Sequence, residues 1–144
     1  MIRDLLREDL AELALLYECF WDEKSDPGKM NDMFSRLDAD PAYIHLCYIG
    51  ENGRMVGTVM GIVCHELYGE CRPFMVLENM VVKPDMRKKG IGRELFLELE
   101  KRAGLARCSQ IILVTEKSRR DACSFYESLG FMKQNTGYKK KLNF

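Results

Sequence analysis

Histidine is scarce in this sequence, limited to His45 and His65, and the six cysteines (Cys19, Cys47, Cys64, Cys71, Cys108 and Cys123) form no C-x-x-C pair. Too few ligands fall at metal-binding spacing, so no metal site is expected. Net charge is missing as well, because 22 Lys and Arg balance 22 Asp and Glu. A general nucleic-acid binder carries a basic excess, which sets that class of partner aside. No apolar run approaches the roughly 20 residues that cross a bilayer. The opening stretch Met1-Ile2-Arg3-Asp4-Leu5-Leu6-Arg7 is charged throughout and lacks the apolar heart of a secretion signal. These absences predict a cytoplasmic protein with reduced thiols and no membrane or nucleic-acid partner. Repeats, low-complexity tracts and linker-like composition are absent too.

What is present suits one core. With 47% hydrophobic residues in 144, the chain can bury enough apolar surface for a single domain over residues 1–144. In residues 7–20, Leu10, Leu13, Ala14 and Tyr17 recur at helical spacing, with Leu16 and Phe20 widening the stripe. Pro27-Gly28 reads as the end of a polar loop, after which residues 29–37 predict a second short helix. From Tyr43 the pattern turns to β-branched and aromatic residues, and Asn52-Gly53 joins strands 43–49 and 54–64 as a hairpin. Residues 73–82 read as a third strand, continuously apolar at Met80-Val81-Val82 as a buried strand would be. Residues 90–104 place Ile91, Leu95, Leu99 and Ala103 on one helical stripe, and Ile111-Ile112-Leu113-Val114 is a short buried strand. Strand, loop, helix and strand make a β-α-β unit, so strands 73–82 and 110–115 are expected to be parallel neighbours. Ser118-Arg119-Arg120-Asp121 fits a capping-box start for a helix that Gly130 ends. Residues 131–133 and 137–142 are expected to form two last strands around Asn135-Thr136-Gly137.

The chemistry concentrates in Met86-Arg87-Lys88-Lys89-Gly90-Ile91-Gly92-Arg93, at the mouth of the helix over 90–104. Gly90 and Gly92 let the main chain turn tightly and approach a ligand, and the first amides of a helix have no intrahelical partner. Those amides, the helix dipole and the basic side chains predict an anion cradle sized for a diphosphate. Two commoner phosphate motifs do not fit. The Walker pattern needs Lys-Ser/Thr after its last glycine, where Arg93-Glu94 stands, and the dinucleotide fingerprint needs a third small residue, where Leu95 stands.

The segment from Glu78 through Asn79, Met80, Val81 and Val82 to Arg87-Lys88-Lys89-Gly90-Ile91-Gly92 resembles the acetyl-CoA motif of the GNAT superfamily, the GCN5-related N-acetyltransferases. Residues 118–131, ending Phe125-Tyr126-Glu127-Ser128-Leu129-Gly130-Phe131, are similar to that family's second motif. The two occur in the family's order and spacing, whereas the N-terminal half matches only in element order. The resemblance implies the α/β, three-layer α+β GNAT fold. In it a central mixed, mostly antiparallel sheet with one parallel pair of splayed strands is flanked by about four helices. It also implies an acetyl-CoA-dependent N-acetyltransferase acting on a primary amine by direct attack in a ternary complex. The alternative within the family is a non-catalytic acyl-CoA-binding module.

Residue by residue, the resemblance implies that Arg87, Lys88, Lys89, Gly90, Ile91, Gly92 and Arg93 hold the pyrophosphate. Backbone groups of Met80 and Val82 would pair with pantetheine in the gap beside a bulged strand, with the Met80 N–H facing the thioester oxygen. Tyr126 would protonate the departing thiolate. On composition alone it reads as a packed aromatic. Glu78 would take the proton of the ammonium, and on composition alone it is equally a surface carboxylate. Many relatives carry Asn where Arg119 stands, so that role is not transferred. Homodimers are common in the family. An acidic mouth formed by Trp21, Asp22, Glu23 and Asp26 with His65, Glu66 and Glu70 is expected to favour a cationic acceptor. Polyamines, aminoglycosides, amino acids and peptide N-termini all stay open as acceptors.

Overall fold

Five strands and four helices follow one another in the computed structural model, which describes residues 1–143. Two units succeed each other along the chain, Met1–Ile112 and the segment from Leu113 onward. The first holds β1 (Ile2–Asp4), α1 (Leu10–Trp21), α2 (Pro27–Asp38), β2 (Tyr43–Ile49), β3 (Met55–Cys64), β4 (Phe74–Val82), α3 (Ile91–Leu105) and β5 (Ile111–Ile112). Its sheet runs in the order β1-β2-β3-β4-β5, antiparallel throughout except for the parallel pair β4 and β5. The mixed sheet with one parallel pair is the architecture expected from the sequence.

The two faces of this sheet are built differently. On one, Cys47 and Val81 pack with Leu13 and Leu16 of α1 and Phe34 of α2. On the other, α3 lies so close to β3 that a Cβ on Gly61 would stand 2.7 Å from Leu99 Cδ1 and 2.8 Å from Met75 Sδ. Glycine at 61 therefore fits this contact, because a side chain there would force Leu99 and Met75 to shift. The helix stripe Ile91, Leu95, Leu99 and Ala103 is buried as its spacing predicts. Each large side chain on it contributes about 1.5–3 kcal/mol of transfer free energy.

Several expectations need correction. The sequence reading contained no strand at the N-terminus, yet Ile2, Arg3 and Asp4 pair with Tyr48, Cys47 and Leu46. Three residues, two of them charged, carry no periodicity, and only the free edge of β2 makes them a strand. Arg3 is then clamped by Asp9 through two bonds of 2.6 and 2.9 Å. Pro27-Gly28 begins α2 instead of closing a loop. Asp26 caps the helix by accepting the Lys29 N–H at 2.9 Å, and proline suits the first helical position, where no amide bond is required. The ladder of β5 covers only Ile111 and Ile112.

In the second unit α4 (Arg120–Ser128) has Arg119, not Ser118, at its N-cap position and no side-chain cap bond, so the capping box over 118–121 does not form. Its other end behaves as expected. Phe131 N–H bonds the Tyr126 carbonyl at 3.1 Å and Gly130 N–H bonds that of Glu127 at 3.0 Å, with Gly130 at φ 92°. This is the Schellman arrangement. Residues 131–143 contain no strand, contrary to expectation. Met132, Tyr138 and Leu142 are all largely exposed, and a hairpin without an apolar face to bury is marginal.

Candidate active site

The site begins with a break in β4. Thr58 pairs with Val81 but Met60 pairs with Glu78, so one residue of β3 faces two of β4, Asn79 and Met80. This is a β-bulge. Asn79 takes its positive φ, at 52°, a conformation that asparagine tolerates better than most residues. The bulge reverses which backbone groups face which neighbour. Before it, the Met75 N–H points toward β5 and bonds the Gln110 carbonyl at 2.9 Å; after it, the Lys83 N–H points toward β3 and bonds the Val56 carbonyl at 2.9 Å. Alternation from Lys83 then turns Val81 toward β3 and Met80 and Val82 toward the opposite edge. That edge has no ladder beyond Val76. The sequence-assigned pair therefore lies on that edge beyond the end of the β4–β5 ladder.

Beyond Val82, a short 3-10 turn at Pro84–Met86 leads into the basic loop. Lys88 at φ 60° and Gly90 at φ 85° twist it into left-handed steps, the kind of backbone that builds anion-binding concavities. The helix begins only at Ile91, and its first intrahelical-type bond is Glu94 N–H to the Gly90 carbonyl at 3.0 Å. Among the described residues, the amides of Lys88, Lys89, Gly90, Ile91, Gly92 and Arg93 make no hydrogen bond to protein. Lys88, Lys89, Gly90 and Arg93 are exposed. Six unpaired donors at a helix N-terminus, flanked by cations, constitute an anion cradle.

Arg87 behaves differently from its neighbours. Its Nε donates to the Val82 carbonyl at 3.1 Å, and its guanidinium carbon lies 6.0 Å from the centre of the Phe20 ring. The side chain thus braces the loop against the end of β4 and the last turn of α1. The Val82 carbonyl is engaged by this bond.

α1 contributes a second brace that the sequence reading treated only as core. The Asn79 side chain lies beside the Tyr17 hydroxyl, and burial pushes that phenol up to about 12. Trp21 stacks edge-on against both Tyr17 and Phe20, at 5.1 and 4.8 Å between ring centres. One helical turn therefore touches both the bulge and the phosphate loop. The available signal was an Asn inside an apolar strand, which favours a left-handed residue but names no partner.

Glu78 is exposed, one residue before the bulge. Its pairing with Met60, which itself pairs with His45, places these three side chains on the face occupied by α1 and α2. Burial holds the His45 imidazole below its ordinary pKa, so this neighbour is uncharged near neutrality. In the second unit, Tyr126 is half-buried on α4 between the rings of Phe125 at 5.3 Å and Phe131 at 5.7 Å.

The acidic mouth does not assemble. Asp22 lines a groove with Arg54 and Lys83, where β3 begins, while residues 65–70 follow Cys64 at its far end. A ten-residue strand puts about 30 Å between those ends. Asp26, besides, is occupied as the cap of α2. Among the described residues, no group of three or more His, Cys, Asp or Glu is placed to hold a metal ion, and no helix is long and apolar enough to cross a membrane.

The same architecture recurs in solved structures. A candidate acetyltransferase from Agrobacterium tumefaciens str. C58 superposes with a TM-score of 0.90 at 26% identity, covering 99% of each chain. Glucosamine-6-phosphate N-acetyltransferase from Arabidopsis thaliana gives a TM-score of 0.86 at 16% identity, over 99% of this chain and 98% of that one. The aminoglycoside 6'-N-acetyltransferase AAC(6')-Ih from Acinetobacter baumannii gives 0.82 at 16% identity, over 100% and 98%. No curated protein matches in sequence. The profile of the acetyltransferase (GNAT) family matches residues 10–131, so the bulged strand, the amide cradle and α4 all fall within it, and the chain belongs to that family.

Proposed function

We propose that this protein transfers an acetyl group from acetyl-CoA to a primary amine, within one domain and by direct attack. The observation that carries the reading is the continuity of the edge at Met80 and Val82, beyond the end of the β4–β5 ladder, with the unpaired amides of residues 88–93. An extended amide-bearing arm ending in a diphosphate needs those two features in that order. The backbone of Met80 and Val82 takes the pantetheine amides, and the loop takes the pyrophosphate through main-chain donors. Lys88, Lys89 and Arg93 add attraction at longer range.

The amine reaches the thioester as ammonium, since an alkyl amine titrates near ~10, and loses one proton to Glu78 directly or through a water. Its lone pair attacks the carbonyl carbon, and the Met80 N–H stabilises the charge that grows on oxygen. The C–S bond then breaks as the sulfur takes a proton from the Tyr126 hydroxyl, and the nitrogen gives up its second proton, which returns through water to the Tyr126 phenolate. The products are an N-acetyl amine and the free CoA thiol, the proton on Glu78 passing to solvent. Tyr126 is assigned by motif position and Glu78 by its place beside the bulge.

Calorimetric titration with acetyl-CoA, followed by thiol release in the presence of amines, tests the reading. Binding is expected, with Glu78→Gln and Tyr126→Phe each lowering kcat by about 10²–10⁴ while acetyl-CoA affinity is kept. No binding by folded protein would overturn it. Binding with no turnover of any amine would leave a module that holds acyl-CoA without reacting.

A further inference from the structure

The sheet face around Glu78 carries information about the acceptor. Two adjacent cross-strand rows lie there: His45–Met60–Glu78, and Tyr43–Ile62–Val76, the latter continuing to Ile112. Both project to the side occupied by α1 and α2, because they alternate in step with Cys47, Thr58 and Val81. The opposite face is filled by α3. An amine that reaches the Met80 edge by way of Glu78 therefore comes from the side of these two rows.

Their composition is one-sided. Tyr43, His45, Met60, Ile62 and Val76 are half-buried, and Glu78 is exposed. Glu78 is the one carboxylate in either row, and neither row contains Lys or Arg. Asp4 and Asp38 line a groove with Tyr43 and His45 at the β2 end of the rows, where Arg102 accompanies them, and Asp22 shares another groove with Arg54 and Lys83. A polyamine or aminoglycoside needs several carboxylates to replace the hydration of several ammonium groups, and a sugar phosphate needs a cation. This floor supplies neither.

Resting on the acetyltransfer reading, we propose that the acceptor is a monoamine on a compact apolar body of about one aromatic ring, with its nitrogen at Glu78 and its body over Met60, Ile62 and Val76. The dimensions agree. Diagonal cross-strand neighbours such as Glu78 and Ile62 are about 7–8 Å apart, which matches the reach from an amine nitrogen across two methylenes to the far edge of a phenyl ring.

Thiol release from acetyl-CoA is measured with phenethylamine, spermidine, kanamycin and glucosamine 6-phosphate. Phenethylamine is expected to exceed the others in kcat/KM by about 100-fold or more. Ile62→Ala raises KM for phenethylamine about tenfold and leaves KM for ethylamine unchanged, as loss of apolar contact to the body alone requires. Val76→Ala is expected to do the same, and acetyl-CoA binding by each variant reports that it is folded. If acetyl-CoA binds but phenethylamine is not turned over, or another acceptor equals it, or both alanine variants leave its KM unchanged, the acceptor assignment is overturned while the coenzyme site stands. If acetyl-CoA does not bind, the acetyltransfer reading falls first.

Discussion

Gly90→Ala separates the geometry of the phosphate loop from its charge. Gly90 lies at φ 85°, and the nearest atom to an added Cβ is Glu94 Oε1 at 3.9 Å, so alanine meets no clash. Its effect is confined to the backbone. Holding an L-residue in the left-handed region costs about 1–2 kcal/mol. If the loop keeps its shape, that cost appears as lost stability, a fall in Tm of about 3–7 °C for a chain of this size, and acetyl-CoA affinity is unchanged. If residue 90 relaxes instead, Tm holds, but the loop must be rebuilt on binding and Kd weakens by about 5–30-fold. Intermediate behaviour divides the same 1–2 kcal/mol between the two readouts. Gly53→Ala is the control, because Gly53 sits at φ 74° in the β2–β3 turn with nothing within 4 Å. It should lower Tm without touching affinity. Circular dichroism melts and titration calorimetry at one fixed salt concentration give both numbers. The reasoning is refuted if Gly90→Ala leaves Tm and Kd both at wild-type values, or if Gly53→Ala weakens acetyl-CoA binding equally.

Three further outcomes follow from the packing and the charges. Gly61→Ala overpacks the contact of β3 with Leu99 and Met75 and should cost about 1–3 kcal/mol, read as a lower urea midpoint at unchanged m-value. Burial of His45 lowers its folded pKa below the unfolded value, so its contribution to stability is complete above about pH 6.5 and is lost as pH falls below that, when the unfolded chain takes up the proton first. Urea midpoints of His45→Gln between pH 7 and 5 should therefore vary less than those of wild type. The bonds from Arg3 hold the Asp9 carboxyl below its ordinary pKa, so their stabilisation is full above about pH 4 and fades as acid protonates Asp9. Arg3→Leu should cost about 1–3 kcal/mol at neutral pH and lose that acid-dependent part; equal slopes in acid would contradict it.

Local chemistry made part of this protein readable in advance. The stripe of α3, the hairpin turn at Asn52-Gly53, the cap at Gly130 and the basic glycine loop are decided within a few residues, by helical spacing, by left-handed backbone or by unpaired first-turn amides. Elements that exist only through a distant partner were not readable. β1 is a strand because β2 has a free edge, and residues 131–143 form no strand, with Met132, Tyr138 and Leu142 left exposed. The acidic residues looked like one mouth because sequence carries no distances, and the length of β3 holds them apart.

The order of donors along residues 78–93, the glycines among them and the alternation that turns Met80 and Val82 to the same side were set by the sequence itself. Each of these follows from covalent geometry and near neighbours. Tertiary structure decided that the β4–β5 ladder stops before this side, that Tyr17 and Phe20 of one helical turn brace the bulge and the loop together, and that Glu78 is the one carboxylate in its two cross-strand rows. Those facts depend on which strands pair, in which register and for how many residues, and that is settled only when the sheet and both its packed faces form together.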